Sequence, residues 1–257
     1  VIPYEGLPIT PETAAVVAIA RGHAFVPFSD YRQLPLAISV CQSFALDNGA
    51  FSAWRKGKPI TDWKPFYDWA AECRRIPSCD FAVVPDVIDG DEEQNDALLA
   101  AWPLGKNFGA PVWHLHESLG RLQRLVREWP RVCFGSSGEF AKLKTPAWWQ
   151  RMAQAMQVAC DEDGYPLCKF HGLRMLDGAI SSRFPFASVD STNIGQNIGK
   201  DVNWANGVYL PSTKEGRAAV MRERIENPAN NSPPRWDFSV VIPDEPEPEP
   251  QLQLEYA

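Results

Sequence analysis

Short apolar runs that end on a polar residue alternate along this chain with stretches whose apolar positions recur at helical spacing. Phe44-Ala45-Leu46 runs into Asp47, Phe81-Ala82-Val83-Val84 into Pro85-Asp86, and Phe186-Ala187-Ser188-Val189 into Asp190. Ala24–Phe28, Pro111–His116, Val132–Phe134, Cys168–His171 and Val208–Leu210 read as further strands. Between them, Phe66, Trp69, Ala70 and Cys73 mark one helical face, Leu119, Leu122, Leu125 and Val126 a second, and Trp149, Met152, Ala153 and Met156 a third. Thr10-Pro11-Glu12 and Thr145-Pro146 predict helix starts, with a hydroxyl at the N-cap and proline at the first helical position. Helices are also expected over Glu92–Trp102, Leu173–Ser181 and Thr213–Glu226, and a Lys/Arg-rich linker over Trp54–Pro59.

About eight strand–helix units in 257 residues predict one α/β domain, a closed (β/α)8 TIM barrel over residues 1–227. From residue 228 to 257 Pro, Asn, Ser and Glu dominate, which predicts a disordered acidic tail, with Trp236–Ile242 the part able to dock on the body. Five acidic residues in the last fourteen supply much of the formal charge of −7, so the body is near neutral. That balance excludes a broadly basic nucleic-acid binder and leaves room for a local basic groove. Six cysteines without a C-x-x-C pair predict reduced, buried thiols. No apolar run approaches the ~20 residues that span a bilayer, so a cytoplasmic protein without membrane contact is expected.

Asp47, Asp86 and Asp190 occupy the same place in their strands, and the C-terminal rim of a barrel is where its chemistry is carried. Period-two alternation puts Ala45 with Asp47, Val84 with Asp86, and Ser188 with Asp190 on shared faces. Converging carboxylates repel, so at least one is expected to have a raised pKa and to carry a proton, as glycosidic-bond chemistry requires. His114 and His116, with Lys169, His171 and Asp190, also follow the ligand order of metal-dependent amidohydrolase barrels, but the H-x-H falls mid-chain rather than on a first strand. Residues lining a pocket are the preferred reading there, and no metal is expected. Gly135-Ser136-Ser137-Gly138 is a small-residue turn able to admit a planar ligand, and Trp54, Arg55, Lys56 and Lys58 join an aromatic to cations beside the Asp47 strand.

Taken in order from about Leu46 to Asn197, these stretches resemble the tRNA-guanine transglycosylase superfamily, in particular its short phage-type members that place 7-deazaguanines in DNA. Leu46-Asp47-Asn48-Gly49-Ala50-Phe51 is similar to the family's D-S-G-G-F strand end, Asp86 stands at its second base-reading Asp, and His116 stands near its Gln-Gly strand. Gly135, Ser136 and Ser137 fall near its Gly-Gly base-binding loop, Phe170-His171-Gly172-Leu173-Arg174 near its V-G-x-P turn, and Val189-Asp190-Ser191 resembles its F-D-C nucleophile strand. The resemblance implies Asp190 as nucleophile, Asp47 as proton carrier, and Asp86, His116, Gly135–Ser137, Lys169, His171 and Asn193 as the base-binding set. It implies Trp54, Arg55, Lys56 and Arg174 against nucleic acid, and a free 7-deazaguanine as co-substrate with no other cofactor. The chain departs from the family in having no cysteine after Cys168 for the zinc site, and Thr192-Asn193-Ile194 where P-T-R usually follows. DNA is therefore the expected partner ahead of tRNA. A DNA glycosylase, the metal-dependent hydrolase and a catalytically silent nucleic-acid-binding barrel are the alternatives.

Overall fold

A computed structural model describes residues 1–200 and 211–239. Nine parallel strands follow one another around a single sheet: β1 (Ile2–Gly6), β2 (His23–Pro27), β3 (Ser43–Asp47), β4 (Cys79–Val83), β5 (Gly109–Ala110), β6 (Val112–His114), β7 (Arg131–Gly135), β8 (Lys169–Gly172) and β9 (Ser188–Ser191). β9 pairs back onto β1, with Tyr4 opposite Asp190. β5 and β6 are one physical strand divided at Pro111. Ala110 O accepts from Val84 N at 2.9 Å on one side, and Pro111 O accepts from Cys133 N at 2.8 Å on the other. The proline lacks the N–H that would continue the ladder, so the barrel carries eight strand positions and closes through a bend.

The inward set of Tyr4, Phe25, Ala45, Phe81, Val83, Ala110, Val112 and Cys133 fills the barrel, and a larger apolar shell lies between the sheet and its helices. The helices are α1 (Glu12–Ile19), α2 (Leu34–Val40), α3 (Ala50–Arg55), α4 (Lys64–Cys73), α5 (Glu92–Ala101), α6 (Leu119–Glu128), α7 (Pro146–Ala159), α8 (Gly178–Ser181), α9 (Asn193–Asn197) and α10 (Lys214–Ile225). Their local chemistry explains most of their starts. Thr145 caps α7 by accepting from Trp148 N, with Pro146 in the first turn, and Asp91 with Gln94 forms a capping box on α5. On α6 the buried Leu122, Leu125 and Val126 form the face that packs inward.

Three expectations about elements change, and a fourth falls outside the described residues. β1 was not anticipated, because Pro3 and Glu5 make it unlike a central strand; its membership comes from pairing with β2 and β9 on both sides. The expected strand over Val208–Leu210 lies outside the described residues. At α1 it is Pro11, not Thr10, that occupies the N-cap position, since Pro11 O accepts from Ala14 N and Ala15 N. Part of the Lys/Arg-rich linker is helical: α3 runs to Arg55, started by a left-handed Gly49 at φ 79°.

Trp236, the first residue of the stretch expected to be able to dock, does so. Trp236 is buried, its N–H donates to Gly164 O at 2.8 Å, and its ring stacks on Phe184 at 5.3 Å and 12°. Residues 228–239 thus pack as part of the body; the acidic stretch after them lies outside the described residues. Trp236→Ala is expected to cost about 3 kcal/mol, the low end for deleting a large buried aromatic. Urea unfolding of the variant checks this, and an unchanged midpoint would contradict the packing role.

Candidate active site

The C-terminal mouth of the barrel gathers Asp47, Asp86 and Asp190. Asp190 faces inward on β9 and is 3% exposed, as alternation with inward Ser188 predicts. Asp47 closes β3 on the same face as Ala45, half-buried. Asp86 reaches the mouth by a different route from the one expected. Val84 packs in the outer apolar shell, not inside, because β4 ends at Val83 and carries a register shift against β3. The loop after the strand, rather than strand period, turns Asp86 in.

Each carboxylate has its own hydrogen-bond setting. Asp47 Oδ1 accepts from Gly49 N at 3.0 Å, the first closure of the turn that starts α3. Asp86 is gripped on both oxygens: Oδ1 accepts from Asn48 Nδ2 at 2.7 Å, and Oδ2 lies 2.9 Å from His114 Nε2. Asn48 Nδ2 donates also to Val84 O at 2.9 Å, and its Oδ1 accepts from Ala50 N at 2.8 Å. Asp190 Oδ1 accepts from Arg174 N at 2.9 Å and lies 3.3 Å from His171 Nε2. No hydrogen bond reaches Asp190 Oδ2 among the described residues.

Burial pushes the Asp47 carboxyl up to about 7; the Gly49 N–H opposes this, and the negative charges of Asp190 and Asp86 add to it. A group in that position is about half protonated at neutral pH and can give or take a proton. The expectation that one member of the cluster would hold a proton thus falls on Asp47.

His114 lies at the centre of the site, where the sequence reading prefers a pocket-lining residue to a metal ligand. Its Nε2 is on Asp86, and among the described residues its buried Nδ1 has no hydrogen-bond partner. A Cβ at Gly135 would lie 3.2 Å from that Nδ1 and 3.1 Å from Val112 Cγ1, so the glycine lets β6 and β7 pack closely there. Its backbone N–H is held by Glu117 Oε2 at 2.9 Å, and Glu117 is itself fixed by Arg121 Nη1 at 2.6 Å and Asn95 Nδ2 at 2.9 Å, all buried. Glu117 belongs to no motif, and Asn48 stands inside the Asp47 motif without a role assigned to it there.

His116 is stacked on His114 at 5.6 Å and 23°. Its Nδ1 lies 2.7 Å from Ser137 Oγ and its Nε2 3.1 Å from Gly90 O, so both nitrogens are engaged in tying loops together. Both His116 nitrogens are thereby occupied by loop contacts, and among the described residues no group of three or more His, Cys, Asp or Glu side chains is arranged to hold a metal ion. The Gly135–Ser137 turn sits at the mouth, but its hydroxyls face inward: Ser136 Oγ accepts from Trp148 Nε1 at 2.9 Å and Ser137 Oγ pairs with His116.

Three expected base-binding residues lie elsewhere. Lys169 opens β8, two residues before His171, and is therefore ~6.6 Å nearer the N-terminal face, exposed beside Pro130 and Phe170. Asn193 is exposed at the start of α9 and accepts from Asn197 Nδ2. His171 is fully buried inside the barrel beneath Asp190, against Tyr4, Phe25 and Phe81. Period two makes it point inward, yet its depth on the strand keeps it below the mouth.

The basic–aromatic group does meet the mouth. The helix expected from Leu173 begins only at Gly178, because Arg174 adopts φ 57° and turns the chain back so that Leu176 N donates to Asp190 O at 3.1 Å. From that turn the Arg174 guanidinium reaches across to lie 3.9 Å over the Phe51 ring and donates to Ser136 O at 3.3 Å. β8 and β3 stand four strands apart in the barrel, so this side chain spans the opening. Trp54, 40% exposed, lies 5.8 Å from Phe51, and Arg55 sits 5.9 Å over the same ring, with Lys56 exposed at the end of α3.

Together, the fold and this mouth define a (β/α)8 barrel with a carboxylate–imidazole cluster at its C-terminal end. No family model matches the chain, and no curated protein matches it. Among solved structures it is similar to a protein named for a fructose-1,6-biphosphate aldolase from Coccidioides immitis, at 15% identity and a TM-score of 0.48 over 88% of this chain and 86% of that one. Among the described residues no helix is long and apolar enough to cross a membrane.

Proposed function

We propose that the protein is a base-exchange transglycosylase that replaces guanine in DNA with a 7-deazaguanine. The observation that carries this reading is the division of labour among the three carboxylates. Asp190 has one oxygen held by a backbone N–H and the other without a partner, Asp47 is poised near 7, and Asp86 is locked to Asn48 and His114.

In the first step an Asp190 oxygen forms a bond to the sugar C1′ as the bond from C1′ to guanine N9 breaks. The electron pair leaves on N9, and Asp47 supplies the proton that the departing base takes up. The 7-deazaguanine then gives its N9 proton back to Asp47 and attacks C1′, which releases Asp190 and restores the original configuration. The bare Nδ1 of His114 is an acceptor that suits an N–H on the purine edge, reached when the side chains that bury it part. Phe51, Trp54, Arg55 and Arg174 form a flat cationic rim on which a flipped nucleotide can stack while Lys56 meets phosphate. The Arg174 guanidinium lies over Phe51 at the spacing of a stacked base, so entry of the nucleotide displaces it.

The test is incubation of oligonucleotide duplexes and single strands with labelled guanine. Incorporation of label, and a protein–DNA adduct that survives denaturation, are the expected results; their joint absence would remove the proposal. A glycosylase on the same barrel is the second reading, because the same unpartnered Asp190 oxygen could hand the sugar to water. It leaves abasic sites whether or not free base is present, whereas exchange leaves none when base is supplied.

A further inference from the structure

Beneath Asp190 the barrel interior holds a line of polar side chains that the base-exchange steps do not use. Asp80 pairs with Arg131 at 3.2 Å and accepts from the Tyr4 hydroxyl at 2.7 Å. Arg131 lies 4.1 Å over the Phe81 ring and donates from Nη1 to Ser188 Oγ at 3.2 Å. Ser188 Oγ is 2.8 Å from His171 Nδ1, and His171 Nε2 is 3.3 Å from Asp190 Oδ1. Arg131, Ser188, His171 and Asp190 are all at most 9% exposed.

We propose that Arg131, Ser188 and His171 form a buried relay that holds His171 as the neutral Nε2–H tautomer and thereby positions Asp190 to react through Oδ2. This rests on the reading of Asp190 as the nucleophile. The assignment follows from what each group can donate. A guanidinium has no acceptor, so Ser188 Oγ must accept from Arg131; its own proton goes to His171 Nδ1, because an Nδ1–H would strand that hydroxyl proton and turn a bare Nε2 lone pair towards the Asp190 carboxylate. An Nδ1 that accepts carries no proton, and a neutral ring then carries it on Nε2. A doubly protonated ring would make Ser188 accept twice, strand its hydroxyl proton, and put a second buried cation next to Arg131.

The Nε2–H therefore faces Asp190 Oδ1. At 3.3 Å the contact is not aligned as a formed hydrogen bond, and such contacts tighten when substrate closes a site. Oδ1 thus meets two donors, the Arg174 N–H and the His171 ring, while Oδ2 keeps its lone pairs for C1′. His171 acts through Asp190 and is a positioning residue. It never touches the base, in contrast to the contact expected from its place in the sequence.

The tautomer can be read directly on the full-length protein. The chain has four histidines, so long-range proton–nitrogen correlation of uniformly labelled protein at pH 7, assigned with His171→Gln, resolves His171. A bare Nδ1 and protonated Nε2 are expected in the wild type, and Ser188→Ala should let both tautomers appear. An Nδ1–H or doubly protonated ring in the wild type overturns the relay, as does an unaltered ring in Ser188→Ala. In labelled-guanine exchange, Ser188→Ala and His171→Ala should lower kcat roughly 10- to 100-fold with KM within about threefold, the scale of a misplaced reacting group. His171→Gln, which can offer an N–H where Nε2 stood, should recover most of that loss. Wild-type kcat in Ser188→Ala overturns the positioning role. If the wild type exchanges no guanine at all, the base-exchange reading fails, while the nuclear-spin result still judges the relay by itself.

Discussion

Asp190→Ala is expected to reduce incorporation of labelled guanine by roughly 10⁴-fold or more and to abolish the denaturation-resistant adduct, as removal of a covalent nucleophile does. Asp190→Asn should behave almost as badly. The amide keeps the shape and an oxygen for the Arg174 N–H, yet its resonance-bound nitrogen and uncharged oxygen are poor nucleophiles. That comparison separates chemistry from folding. The alanine variant strands a backbone donor next to a buried site, at ~1–3 kcal/mol, whereas the asparagine variant retains the partner. Folding is followed by thermal unfolding in both, so a loss of exchange in well-folded Asp190→Asn assigns the effect to the carboxylate. Exchange at the wild-type rate in either variant would remove Asp190 from the nucleophile's place.

The second large effect is on stability, at a residue that no sequence pattern singles out. Glu5 points outward from β1, is 4% exposed, and among the described residues neither of its oxygens has a hydrogen-bond partner. It lines a cavity of about 310 Å³ beneath α10 together with Arg222 and Glu226. Burial pushes its carboxyl from an ordinary 4.5 up to about 8; Arg222 opposes this, and Glu226 and Asp190 reinforce it. Between those two values the unfolded chain has released the proton and the folded chain still holds it. Stability from this group is therefore fully present below pH 4.5 and is lost as pH rises through about 8. At 1.36 kcal/mol per pH unit across that window the loss reaches about 5 kcal/mol as an upper bound.

Asp47 adds a loss of the same sign, from 3.8 through about 7. Urea midpoints measured from pH 5 to 9 should accordingly fall steeply in the wild type. Glu5→Gln, neutral at every pH, should flatten the profile and be the more stable protein at pH 8. A wild-type midpoint that rises with pH, or a Glu5→Gln profile parallel to the wild type, would show that the carboxyl is not held in its neutral form.

The legible parts of this protein are those whose physics is local. Residues such as Leu122, Leu125 and Val126 recur every three to four positions because one helix face must leave water, and that spacing survives whatever the helix packs against. Apolar runs stopped by Asp47 and Asp190 reveal strand ends, and period two correctly turned both carboxylates inward. The same local rule misled where the backbone departs from regularity. β4 shifts register, so Val84 faces outward although Asp86 still reaches the mouth, and Lys169 shares a face with His171 but sits at the other end of the strand. The positive φ of Arg174 broke an expected helix and aimed a side chain across the barrel, which no propensity of arginine foretells.

From the sequence by itself come the alternation of strands and helices, the all-parallel barrel it implies, and the delivery of carboxylates to one rim, since these depend on spacing and on which side chains avoid water. Only the tertiary structure decided that Pro3 and Glu5 lie in a central strand, that His114 rather than His116 joins Asp86, and that His171 lies beneath Asp190. Each of those outcomes depends on partners far away in the chain: β9 for β1, the loop after β4 for His114, and Arg131 through Ser188 for His171. Hydrogen-bond pairing and burial of that kind are set by the closed ring of strands, and a side chain's protonation and direction follow from it.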